Sequence, residues 1–346
     1  MRWLPYDCTL SGISIAGISI LATKTVELKE ASKIEIVSLM DNTVDFLSSK
    51  NRKDVQSLWH WTKEKYGPEW ASAHTELPFA EHGFSILLRI FTDQESWSIL
   101  FDTGVSSQGV TINAKRMSID LSEVSYVALS HGHYDHFGGL QAIVKAVNRI
   151  DLPIITHEDM VKRRGTASPS GEIREYPLFP SLKLLAPAKI VNTKNPHLIA
   201  NDLACITGEI PRKVAFEKGL MHNKIYSDNS WQPDPFVLDD RALVVNIKGK
   251  GLVIISGCAH AGIINTIRYA REITGLTKVY AILGGFHLAG KEFEKRIEPT
   301  IEELKDINPE LIVPSHCTGW RALISIAQTF PNAFASNSVG NIYQFE

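Results

Sequence analysis

Short apolar runs rich in β-branched residues recur along the chain and alternate with stretches of helical period. Strand-type patterning covers KIEIVSL (33–39), FSILLRIF (84–91), SWSILFD (96–102), VSYVALS (124–130), LPIITH (152–157) and LKLLA (182–186). It continues through LACIT (203–207), ALVVNI (242–247), GLVIIS (251–256), KVYAIL (278–283) and LIVP (311–314). Apolar residues spaced by three and four predict helices over 139–150, 261–274, 292–307 and 320–330, with Pro299 starting or kinking a turn. The pattern is that of an α/β protein. KGKG (248–251) lies between two strand runs and reads as a hairpin turn, not as a phosphate loop. Two polar stretches interrupt the alternation: 50–80, with Trp59, Trp61 and Trp70, and 208–240, with Trp231. Long loops of this kind are lids or substrate walls. Without a repeat or a long linker, the chain reads as one domain over 34–346 behind an extension at 1–33.

Composition narrows the class. Lys and Arg total 36 against 38 Asp and Glu, a net charge of -2, so no global basic field points to nucleic acid. Arg2 precedes CTLSGISIAGISILA (8–22), which has some signal-like character. Asp7, the Ser and Gly content and the lack of a clean cleavage site argue instead for a strand or an extension. The run is too short and polar to span a bilayer. Four scattered cysteines without a CxxC pair fit reduced thiols and a cytoplasmic setting. The sequence carries no sign of oligomeric state.

The chemistry is concentrated in SHGHYDHFGG (130–139), directly after an apolar strand. His131 and His133 are two apart, which in extended backbone points both rings to one side. Asp135 and His136 follow as the chain turns, so Asp135 is a candidate both as ligand and as catalytic group. Four such donors crowd a single ion that must keep an open position, and two adjacent ions are the natural solution. The plain alternative is a histidine-rich surface turn.

SHGHYDHFGG resembles the metal-binding signature of the metallo-β-lactamase superfamily. That resemblance implies an αββα sandwich with two divalent metal ions at one edge, zinc first, with Mg2+, Mn2+ or Fe2+ as alternatives. FDTG (101–104) resembles the family's upstream strand-end motif, which makes Asp102 a partner orienting a ligand histidine. Further ligands are expected from strand ends: His316 in VPSHCTG and His260 in SGCAHAG, with His287 in GGFHL as a ligand, a substrate contact or a core histidine. Where the superfamily bridges its metals with an Asp, this chain has Gly257-Cys258, so Cys258 or His260 must stand in, unless the thiol is merely buried. TGEIPR (207–212) replaces the usual third-ligand motif. There Glu209 could ligate or act as a base and Arg212 could hold a phosphate, or the two could form a surface ion pair.

The set AEHGFS, FDTG, SHGHYDHFGG, TGEIPR, DDRAL, GCAHAGIINT, GGFHL and HCTG resembles one branch in particular, that of the 7,8-dihydropterin-6-ylmethyl-4-(β-D-ribofuranosyl)aminobenzene 5'-phosphate synthases of methanopterin biosynthesis. The match runs from about residue 34 to 346 and leaves out the Trp-rich 50–75. It implies a transferase that condenses a dihydropterin-methyl diphosphate with ribofuranosylaminobenzene 5'-phosphate and releases diphosphate. A metal-dependent hydrolase of a phosphodiester, lactone or thioester is the alternative, and a metal-binding sensor a further one. In each enzyme reading the partner is a small molecule, phosphorylated in the first, with His82 and Asn42 lining its pocket or serving structure.

Overall fold

The computed structural model describes residues 25–48, 52–70 and 76–346. The apolar run 8–22, Cys8 and His74 lie outside them. Two mixed sheets carry the architecture. The eight-stranded sheet runs in the order Lys189–Asn192, Pro153–Thr156, Tyr126–Ala128, Ser96–Phe101, Ser85–Phe91, Lys33–Met40, Ile342–Phe345 and Val55–Gln56. The seven-stranded sheet runs His197–Ile199, Ala204–Ile206, Ala242–Ile247, Gly251–Ser256, Val279–Gly285 and Leu311–Ser315, with Glu30–Ala31 added alongside Ala242–Ile247.

Each sheet is buried on both faces. Ile34, Ile36, Leu88 and Phe101 of the first pack against Leu243, Val245, Val253 and Ile255 of the second. The opposite face of the first sheet, with Val37, Leu87 and Leu100, is covered by helices Gly109–Arg116 and Leu140–Val147. Val244, Ile254 and Ile282 on the far face of the second meet helices Ile263–Thr274, Ile297–Ile307 and Trp320–Thr329. Double burial explains why these strands read as continuous apolar runs and not as alternating ones. The layers are therefore αββα, as the sequence led us to expect. The 248–251 hairpin is also present, joining two antiparallel strands.

Some elements differ. LKLL (182–185) is a short helix, not a strand. Only Leu185 reaches the core, while Leu182 and Leu184 are about half exposed, and the place beside Pro153–Thr156 is taken by Lys189–Asn192. Helices Leu58–Tyr66 and Gly109–Arg116 and the strand Ile342–Phe345 have no strong periodic signature. Pro299 sits in the first turn of its helix, where its missing N–H costs nothing. Four short strands, Ser230–Pro233, Asn223–Ser227, Arg164–Ala167 and Ile173–Glu175, form a separate antiparallel sheet within the polar stretches.

Among the described residues, those from Val26 to Ala31, ahead of Lys33, are part of the fold. Val26 N–H donates to the Ile273 carbonyl at 2.8 Å, Glu30 and Ala31 pair in parallel with Asn246 and Ile247, and Leu28 and Ala31 are buried. A boundary at residue 33 would cut these contacts. Leu28→Ala should cost about 2–5 kcal/mol, as for other buried leucines. A chain beginning at Lys33 should have a lower urea midpoint than the intact protein; equal midpoints would show that the segment adds no stability.

Candidate metal centre

Parallel strands from both sheets deliver their carboxyl ends to one edge. His131 to His136 follow Tyr126–Ala128, Cys258 and His260 follow Gly251–Ser256, His287 follows Val279–Gly285, and His316 follows Leu311–Ser315. Four non-glycine residues at these ends adopt left-handed backbone: Asp102 (φ 62°), Ala259 (55°), His287 (46°) and His316 (49°). Such conformations cost free energy and cluster where geometry serves function.

The side chains gather into two donor groups. In the first, His260 Nε2 lies 3.0 Å from His131 Nε2 and 3.1 Å from His133 Nδ1. In the second, Asp135 Oδ2 lies 3.3 Å from His316 Nε2 and 3.6 Å from His136 Nε2, while His136 Nε2 is 3.2 Å from Cys258 Sγ. Cys258 belongs to both: its sulfur lies within 4.8 Å of the donors of His131 and His260, and likewise of Asp135, His136 and His316. A third set joins Cys258 to His287 and Cys317.

These donors fit metal ions. Three ring nitrogens converge at hydrogen-bond distance, yet one proton can serve only one of those contacts. His316 Nε2 is buried with Asp135 Oδ2 at 3.3 Å as its polar neighbour, in a geometry that makes no well-formed hydrogen bond. A cation between the rings satisfies both conditions, and imidazole with thiolate suits zinc or iron better than magnesium.

Residues 80–223 match the model of the Metallo-beta-lactamase superfamily. Over 284 residues the chain is 31% identical to the 7,8-dihydropterin-6-methyl-4-(beta-D-ribofuranosyl)-aminobenzene-5'-phosphate synthase of Methanocaldococcus jannaschii, covering 78% of this chain and 92% of that protein. The chain belongs to the metallo-β-lactamase superfamily. An uncharacterized protein of the same organism is 32% identical over 268 residues, covering 76% of this chain and 93% of its own length. The crystal structure of Tm1679, a metal-dependent hydrolase of the beta-lactamase superfamily, matches with a TM-score of 0.67 at 23% identity, covering 90% of this chain and 98% of that one. That likeness is one of fold.

Members of this superfamily typically bind divalent metals, and here hydrogen bonds behind the donors fix the rings. Asp102 Oδ2 accepts from His136 Nδ1 at 2.7 Å and from Ser130 Oγ at 2.7 Å. The Ser130 oxygen in turn lies 2.9 Å from His131 Nδ1, so both rings direct Nε2 inward. Asn42 does the same for His316, with Oδ1 3.3 Å from Nδ1 and Nδ2 donating to the His316 carbonyl at 2.9 Å. The Asn223 amide lies 3.3 Å from His133 Nε2. The two sheet ends touch behind the donors, where a side chain at Gly257 would overlap the Ser130 hydroxyl. Beyond His260, Glu217 accepts from the backbone amides of Ile264 and Asn265 at 2.9 and 2.8 Å, capping the next helix.

The two groups differ electrically. Burial, reinforced by neighbouring histidines, holds His131 and His260 well below the usual imidazole range. Burial, with Arg164 nearby, brings His133 down to about 3. Burial also opposes charge on His136, but Asp135 and Asp102 carry it up to about 9. Asp135, despite burial, is held well below the usual carboxylate range by His136, His316 and His133. Burial pushes the Cys258 thiol up, with Cys317 and Asp135 acting in the same direction.

Of the residues singled out from sequence, His131, His133, Asp135, His136, Cys258, His260 and His316 come together, with Asp102 directly behind. The His287 ring lies 4.4 Å from that of His260. His82 stacks on His316 at 5.1 Å and sits 3.7 Å from Asp135, on the cleft. Glu209 and Arg212 are not brought in. Glu209 pairs with His157 at 3.0 Å, and the Arg212 guanidinium donates to the carbonyls of Ile210 and Phe236. Neither lines the cleft, because TGEIPR leaves Ala204–Ile206, two strands away from the donor-bearing Gly251–Ser256. The base and phosphate contact expected of them from sequence are therefore not among the groups on the cleft. Cys317, beside His316, joins the third donor set without a motif of its own to mark it. Ser130 and Asn223 carried no signal. The cleft over the donors measures about 340 Å³, and Tyr134, Tyr176, Phe293 and Met221 contribute to its walls.

In metal-free protein, His133 should remain neutral on acidification. Its folded value lies below its unfolded one, so its contribution to stability is present above pH 6.5 and is lost as pH falls toward about 3. His136 should behave oppositely, its contribution being present below pH 6.5 and lost as pH rises through about 9. Ring resonances followed by NMR would report both, and a His133 signal titrating near 6.5 would contradict the first.

Proposed function

We propose that the chain is a metal-dependent transferase that condenses a dihydropterin-methyl diphosphate with ribofuranosylaminobenzene 5'-phosphate, releasing diphosphate. The observation that carries this reading is the pair of donor groups sharing Cys258 beneath an aromatic-walled cleft, in a chain 31% identical to a synthase of that name. One ion would be held by His131, His133 and His260, the other by Asp135, His136 and His316, with the Cys258 sulfur common to both. When bound, two such ions supply Lewis acidity and positive charge to the oxygens of the leaving diphosphate.

The chain's own groups do the rest. Asp102, Ser130 and Asn42 hold the ligand rings in one tautomer, so that the donors are oriented before any substrate arrives. Tyr134, Tyr176 and Phe293 offer ring faces and edges to planar substrates and displace water from between them. As the amine nitrogen of the aminobenzene attacks the methylene carbon, a C–N bond forms. The C–O bond to diphosphate breaks, both electrons leaving with the diphosphate. The nitrogen then sheds a proton, for which His82, exposed on the cleft, is the acceptor in this proposal.

Protein purified without chelator should carry about two divalent ions per chain by elemental analysis. His133→Ala should lose metal and activity while keeping its circular dichroism spectrum. Cobalt-substituted protein should show a thiolate charge-transfer band that disappears in Cys258→Ser; without a band in the wild type, the shared position passes to His260.

The reaction is tested by supplying both substrates to metal-loaded protein and following condensed product and diphosphate. Product in the wild type, reduced roughly a hundred- to ten-thousandfold in His82→Ala, is the expected result. Cleavage of a generic phosphodiester with no condensation would replace the synthase reading with a hydrolase.

A further inference from the structure

The small antiparallel sheet forms one wall of the cleft, and its register builds a row of polar side chains there. Asn223 lies opposite Thr166, and Thr166 opposite Arg174. Residues directly opposite in a ladder share a face, and all three line the cleft. One end of the row is fixed by the contact of Asn223 with His133. Arg174 forms the other end. Tyr176, two residues on, points the same way. Its ring centroid lies 5.6 Å from that of His133 and 5.8 Å from that of Tyr134, and the Arg174 guanidinium carbon stands 5.9 Å from it. A path of aromatic surface thus runs outward from the donor cluster and ends at a positive charge.

No carboxylate answers that charge. Of its neighbours, Arg163 pairs with Glu175 at 2.6 Å and Arg164 with Asp239 at 2.5 Å. Arg174 has no carboxylate partner among the described residues, and it is the only arginine or lysine among those lining the cleft. Glu292 also lines the cleft and makes no ion pair with it. A guanidinium presents a planar fork of donors that matches phosphate or carboxylate oxygens two at a time.

We propose that Arg174, with Thr166 and the faces of Tyr134 and Tyr176, forms a second subsite for a planar aromatic ring bearing an anionic group. The ring lies along Tyr176 and the anion is held by Arg174, away from the metal donors. This inference rests on the reading of the cleft given above and assigns to Arg174 the anion contact that Arg212 cannot make.

The test compares two probes that differ only in the phosphate, ribofuranosylaminobenzene and its 5'-phosphate, titrated calorimetrically into metal-loaded protein. Wild type should bind the phosphate roughly tenfold or more tightly. Arg174→Ala should bind both alike, and Arg174→Lys should recover part of the difference, with metal content and circular dichroism unchanged in both variants. A wild type that shows no preference overturns the subsite. So does a preference that survives Arg174→Ala, or metal loss that accompanies the effect. Condensation is assayed separately in the same wild-type protein. Product with no dependence on Arg174 removes the subsite and leaves the reaction; an Arg174-dependent preference without product does the reverse.

Discussion

Three buried ring nitrogens at 3.0 and 3.1 Å cannot all be paired by one shared proton, whereas a cation between them satisfies all three, and the rest of the structure serves that arrangement. Strand ends from two sheets must reach the same edge, which requires both sheets to be rigid and covered on each face. The sheets then have to approach one another closely behind the donors, which only a glycine at position 257 permits against Ser130. Left-handed backbone at four strand ends turns the donors inward, and the cost of each is borne by a core large enough to absorb it. Asp102 ties these demands together. Its two oxygens take the Ser130 backbone amide, the Ser130 hydroxyl and the His136 ring, so one buried carboxylate orders two ligand rings at once.

The donors fall into an uncharged half and a charged half. Three imidazoles whose charged forms burial disfavours face a carboxylate with two imidazoles whose values are raised beside it. Cys258 stands on the boundary. A sulfur there is softer than the carboxylate expected at that place in the superfamily, so the donor set suits borderline metals better than magnesium.

Much of this was legible in the chain because the most telling donors are contiguous. Residues 131–136 announce themselves, and His260, His287 and His316 are found by asking which histidines follow a strand and a small residue. The α/β class was readable from apolar runs alternating with helical stretches, while the αββα layering was expected only through the resemblance to the superfamily. Glu209 and Arg212 stand off the cleft because a motif's position in sequence says nothing of how far its strand lies from the site. The small sheet escaped notice for a physical reason. Its strands (RGTA, IRE, NKIYS, SWQP) are short, largely polar and half exposed, so no periodicity separates them from loops. Asn223 and Arg174 become neighbours only through Thr166 and a register that no local pattern encodes.

The stretch from Val214 to Asn223 touches the donor end of the molecule twice. Glu217 caps the helix that begins just after His260, and Asn223 abuts His133. Leu220, Met221 and His222, between these two anchors, line the cleft. Any molecule that presses this wall into a new position therefore pulls on two members of the three-histidine group. By thermodynamic reciprocity, filling that group must change the wall's affinity for its occupant by the same factor that the occupant changes the affinity for the ion. Loading and recognition are then a single coupled equilibrium, and the order in which ion and occupant bind alters neither its end point nor its strength.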